Sequence, residues 1–187
     1  MRRMVAIAVL GLATLFAPEA RALGPVDIEV AAKIGGGTSP FSGFSNPLGF
    51  GLGARGDVVL GGLYGGVSII YYFGSSEDVI GAGGSVSASA LLYGIEGGYG
   101  LKLFNLVTLR GQLGLGNFQL NVGGSLPSSH PSNLYLEPGI VGQVSFGMII
   151  AGVDANILIL PGINDPVNGG SSWDAAFTAH VQGGVKF

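Results

Sequence analysis

Groups able to do chemistry are few in this 187-residue chain: two histidines, eight lysines and arginines, eleven aspartates and glutamates, and no cysteine. Without cysteine there is no disulfide framework, no thiolate nucleophile and no thiolate metal site. His180 shares its strand parity with Thr178 and Gln182, and His130 falls in Ser128-Ser129-His130-Pro131. A nucleophile needs a base within about 2.6–3.2 Å and a third group to orient that base. His180 has no serine in its own strand, so the residues name no triad. His, Asp and Glu are nowhere spaced as metal ligands, and no cofactor is implied. Glu77, Asp78 and Asp165 are weak calcium candidates, more simply read as solvated loop acids.

Two motifs resolve into ordinary structure. Gly51-Leu52-Gly53-Ala54-Arg55-Gly56 matches the dinucleotide fingerprint, but that turn must join a strand to a helix, with an acid about 20 residues on. Here it lies within an alternating segment and Tyr71 stands where the acid belongs. Arg55-Gly56-Asp57 spells an adhesion triplet, which has to be read on an exposed loop tip. Its alternation instead turns Arg55 and Asp57 toward the inside of a sheet.

The elements that position these groups are strands. Met1 to Ala22 has a basic start at Arg2 and Arg3, an apolar run from Val5 to Phe16, and Ala20-Arg21-Ala22 as a cleavage site. That is a secretory signal peptide, too short in its apolar part to span a bilayer. Residues 23–187 then form one domain, with five bases, ten acids and a formal charge of −5. Val26, Ile28, Val30 and Ile34 begin a period-two alternation that recurs in eight segments, through Val153, Ala155, Ile157 and Ile159 to Ala175, Phe177, Ala179, Val181 and Val185. Successive strand side chains point to opposite faces, so eight such segments mean eight two-faced strands. Long Ser/Gly/Pro-rich connections (37–47, 74–89, 123–133 and 161–174) alternate with short ones near 59–62, 104–106 and 147–149. The expected fold is all-β, an eight-stranded antiparallel up-and-down barrel.

Which face is wet follows from composition. Glycine contributes 36 residues and charged residues only 10%, where a soluble domain carries about 7% glycine and about 25% charge. The second parity is mostly Gly, Ser and Ala with single charges, suited to a narrow interior rather than a water-facing surface. Its charges nearly cancel: Asp27, Glu29, Asp57, Glu96, Glu137 and Asp154 against Lys33, Arg55, Lys102, Arg110 and Lys186. The apolar parity carries no charge, as a lipid-facing surface requires. The barrel is therefore transmembrane, with Tyr71, Phe73, Tyr99, Phe104, Phe146 and Phe187 as interfacial girdles. Tyr64, Tyr72, Leu92, Tyr135, Val141 and Leu158 point inward and fill the lumen, so the barrel is not expected to conduct. With a first hairpin turning near 41–43, Glu29 should oppose Arg55, and Glu96 should reach Arg110. Pro138, unable to donate to the ladder, should mark a bulge.

The signal peptide, the eight alternating strands and the closing segment Phe177 to Phe187 together resemble the small outer-membrane β-barrels of Gram-negative bacteria, the OmpA- and OmpX-type class. Gly51 to Gly74 and Leu134 to Phe146 are also similar to segments of that group. The resemblance implies outer-membrane location, contact with membrane lipid, and recognition by the barrel-assembly machinery through Phe187, with Val185 and Val181 alternating before it. It implies no common activity. Nucleic acid is not an expected partner, given the acidic balance; the four long loops are the place for any extracellular ligand. Three classes stay open: a non-enzymatic barrel with a structural, adhesive or small-solute role, a barrel enzyme acting on envelope lipids, and a secreted soluble ligand-binding barrel.

Overall fold

A computed structural model describes residues 26–40, 46–79, 84–103, 106–124, 131–164 and 171–187. The expected signal peptide, Phe104, His130 and Asp165 lie outside them. Alternation becomes eight strands: β1 (Val26–Gly37), β2 (Gly51–Leu60), β3 (Leu63–Val79), β4 (Gly84–Leu103), β5 (Val107–Gly124), β6 (Ser132–Phe146), β7 (Ile149–Asn164) and β8 (Ser171–Lys186). Each pairs antiparallel with its sequence neighbour, and β8 returns to β1, so the sheet closes without an edge. At the seam the Ile28 N–H donates to the Phe187 carbonyl at 3.0 Å and the Phe187 N–H to the Ile28 carbonyl at 2.9 Å. Closure matters because backbone groups in hydrocarbon have no water to bond.

The outward parity is apolar on every strand: Val30, Val67, Ile95, Leu109, Ile140 and Val181 are among its exposed members. Aromatic rings flank this belt. Tyr71 and Phe73 are exposed at the loop end, joined by Phe50, whose ring stacks on Phe73 at 5.9 Å; Tyr99 and Phe146 are exposed at the short-turn end. The protein is a transmembrane β-barrel. In such barrels the short turns face the periplasm and the longer loops the exterior. Gly61 and Gly62, with φ of 58° and 100°, make the β2–β3 turn, and Gly147 at 61° serves the β6–β7 turn.

Three local expectations change. The flanks of the long connections are paired strand: Ser75↔Ala88 continues to Val79↔Gly84. Ser/Gly composition does not prevent this, since ladder bonds come from the backbone. No bulge forms at Pro138, which stays in register opposite Leu113. The β6–β7 pairing skips from Leu136↔Ile159 to Gly139↔Asn156 and resumes in the same register, so the missing N–H interrupts the ladder without shifting it. Register shifts occur instead between Tyr72 and Ser75, at Gly74, and between Leu160 and Ile163, at Pro161. In the first hairpin Glu29 opposes Asp57, and Arg55 opposes Ala31, two residues from the expected register.

Candidate functional site

The inward parity of all eight strands converges on the lumen, which is layered along its axis. Toward the loop end lies an apolar plug containing Ile70, Tyr72, Leu92, Phe118, Tyr135 and Leu158, all buried. Leu48 caps it from outside the strands. The Asn46 side chain accepts from the Leu48 N–H at 2.9 Å and donates to the Gly37 carbonyl at 2.8 Å, turning Leu48 in. Leu48 and Phe118 are missing from the sequence expectation; Leu48 lies just past a Ser/Gly/Pro-rich segment that offers no alternation to read.

Below the plug, His180 on β8 bridges two strands. Its Nδ1 lies 2.6 Å from Asp154 Oδ1 and its Nε2 2.7 Å from the Tyr72 hydroxyl. An ionised Asp154 can only accept, so Nδ1 carries the hydrogen, and Nε2 of a neutral ring accepts from Tyr72. Lys33 stands 3.2 Å from the other Asp154 oxygen, and Asn156 Nδ2 donates to Oδ1 at 2.8 Å. Glu137 accepts from Thr178 Oγ1 at 3.0 Å. Acid, imidazole and hydroxyl thus stand in the order of a relay, but Tyr72 is 0% exposed and forms part of the plug. The geometry orders side chains and leaves no room for a substrate at the hydroxyl.

Nearer the short turns is the densest charge layer. Glu29 receives a bidentate pair from Arg110, both contacts at 2.7 Å, and a third bond from Gln143 at 3.1 Å. Two parallel N–H···O⁻ bonds are among the strongest side-chain contacts available. The Arg110 guanidinium also lies 4.9 Å over the Tyr64 ring. Arg55 is held more loosely, at 3.4 Å from Glu29, 3.3 Å from Asp57 and 3.7 Å from Glu96, with a 2.9 Å bond to Gln143. The expected partnership of Glu96 with Arg110 does not form: Glu96 opposes Gly114 on β5, and both residues find partners across the lumen instead. Cross-lumen pairs join strands far apart in sequence, which parity alone cannot select.

Lys186 and Asp27 form a half-exposed pair at 3.5 Å at the short-turn mouth. Lys102 departs from expectation. It is exposed at that mouth, outside the buried network, because β4 ends one residue later. Arg55 and Asp57 are buried at 3% and 2%, so the adhesion triplet is enclosed, and Gly51 to Gly56 is strand interior. Val181 faces outward, while Val185 and Phe187 are half-buried beside the seam. Among the described residues no group of His, Asp and Glu is arranged to hold a metal.

No protein-family model matches the chain, and no curated protein is similar in sequence. Solved structures are similar in fold. A major outer membrane protein from Thermus thermophilus is 11% identical, with a TM-score of 0.63 over 87% of this chain and 99% of that one. Neisserial surface protein A is 11% identical, with a TM-score of 0.53 over 87% and 96%. Closed register, outward apolar belt and filled lumen agree with these likenesses: the chain has the fold of the small eight-stranded β-barrels of bacterial outer membranes.

Proposed function

We propose that the protein is a non-enzymatic integral outer-membrane barrel, a rigid plugged frame carrying four connections at its loop end toward the exterior. The observation that carries this reading is the filled lumen: an apolar plug stacked on a paired charge layer, with Tyr72, Phe118 and Leu158 all at 0% exposure. Eight strands enclose an interior that side chains can fill, whereas water-filled pores belong to barrels of about 16–18 strands. A frame of this kind suits a structural or adhesive role, with any extracellular ligand met by the loops. Planar-bilayer recording of purified, refolded protein tests it. The expected trace is flat, and reproducible single-channel steps after removal of contaminating porins would make the protein a pore.

The order Asp154–His180–Tyr72 gives a second reading, an enzyme acting on envelope lipids. Burial of the Tyr72 hydroxyl within the plug weighs against it. Acyl release from purified lipid, lost on His180→Ala, would reverse that judgement.

A further inference from the structure

The short-turn mouth holds a second feature that the plugged-frame reading leaves unused. A bowl of about 400 Å³ opens there, with Asp27, Lys102, Thr108, Arg110, Ser145 and Lys186 in its wall. They come from β1, β4, β5, β6 and β8, so the bowl belongs to the assembled barrel rather than to one hairpin. We propose that this bowl binds a small organic anion, a carboxylate or phosphate ester, from the side of the short turns. The inference rests on the closed barrel alone, and does not depend on whether the loop end is sealed.

Charge balance carries the argument. The bowl wall includes two acids, and both are engaged. Glu29 at its floor spends its oxygens on Arg110 and Gln143, and Asp27 stands against Lys186 at 3.5 Å. Lys102 has no carboxylate within ion-pair distance among the described residues. Among the described lining residues three cations face two acids, and the unpaired positive charge is Lys102 at the rim. The deeper layer behind Glu29 adds Asp57 and Glu96 against Arg55, so the positive field is local to the mouth. A concave site with low-dielectric walls concentrates that field on an incoming anion.

Donors and room are also present. Arg110 offers five N–H groups, of which two bond Glu29, so its fork still has donors for an oxyanion. The hydroxyls of Thr108 and Ser145 add neutral donors. Gly100 faces the same wall, and a Cβ on it would stand 3.0 Å from Arg110 Cγ and 3.1 Å from Thr108 Cγ2. Glycine there lets the Arg110 and Thr108 side chains pack directly against the β4 backbone in the bowl wall. About 400 Å³ exceeds the roughly 30 Å³ share of one water many times over, and lies in the lower part of the range of ligand pockets. It suits an anion of a few to about a dozen heavy atoms with some water.

The test is NMR titration of the full chain, refolded in zwitterionic micelles, with glycerol 3-phosphate and succinate in separate arms and choline as the cationic control. Saturable shifts of the Lys102, Thr108 and Ser145 amides are expected with at least one anion and not with choline; the arm that binds more tightly identifies the head group. Lys102→Glu should weaken binding by at least about tenfold, a charge reversal near the ligand being worth that much even at solvent-like screening. Asp27→Asn, which removes a competing acid, should tighten binding, a gain that misfolding cannot imitate. Unchanged shifts at Val67 and Ile95 on the outer belt report that the variants keep their fold. Absence of saturation with both anions, equal response to choline, or wild-type affinity in Lys102→Glu would overturn the proposal.

Discussion

Arg55 stands within ion-pair distance of Glu29, Asp57 and Glu96, and is the sole charged partner of the last two among the described residues. Removing one member of a buried charge cluster strands the rest, at a cost of about 3–5 kcal/mol. Arg55→Ala is therefore expected to lower the urea midpoint of the refolded protein strongly. Lys102→Ala, which removes an exposed lysine without an ion-pair partner, should stay within about 0.5 kcal/mol of wild type. Equal midpoints for the two would mean that the buried layer does not stabilise the barrel. At this scale the sequence discloses faces and hides partners. Parity alone turns Tyr72, Asp154 and His180 inward, since a strand has two sides. Nothing local says that β3, β7 and β8 bring them together across the lumen. Arg110 meets Glu29 for the same reason, from strands 81 residues apart.

Element geometry depends on a few positions where the ladder slips or closes. Gly74 combines a φ of 62° with a site where a Cβ would overlap the Ala88 carbonyl. Left-handed backbone alone costs an L-residue about 1–2 kcal/mol, and the overlap adds to it. Gly74→Ala should thus destabilise by more than about 1 kcal/mol. Gly183→Ala, with open space at its Cβ on an outward strand position, should be neutral or mildly stabilising. Matching urea midpoints would show that the bulge relaxes freely. Phe187 separates side-chain from backbone roles at the seam. Phe187→Ser keeps both bonds to Ile28, whereas deleting the residue removes them. If Phe187 serves as an assembly signal, both changes should leave export intact and reduce heat-modifiable barrel in the outer membrane, with deletion the more severe. Normal yields from Phe187→Ser would remove the side chain from that role. The bulge at Gly74 was not legible beforehand, because Ser75 to Ser89 alternates too weakly to look like strand. Eight strands and their order were legible, because the apolar parity persists wherever lipid must be faced.

Across the whole molecule, lipid and lumen impose opposite demands on adjacent residues. Ile95 is exposed on the outer belt, while its neighbour Glu96 is buried inside. Ile95→Arg should cost about 2–4 kcal/mol if that position lies near the bilayer midplane. Inside, two barriers lie in series: the apolar plug toward the loops and the Glu29–Arg110–Arg55 layer toward the short turns. Opening a path through one leaves the other closed. Phe118→Ala and Leu158→Ala remove fully buried side chains and should each cost about 2–5 kcal/mol, with the cavity left behind adding to the lost transfer energy. Neither is expected to conduct in planar bilayers, because oppositely charged groups still pair across the axis below the cavity rather than lining it with one sign of charge. Channel steps from either variant, with a flat wild-type trace, would show that the plug is the only barrier and that the charge layer is permeable.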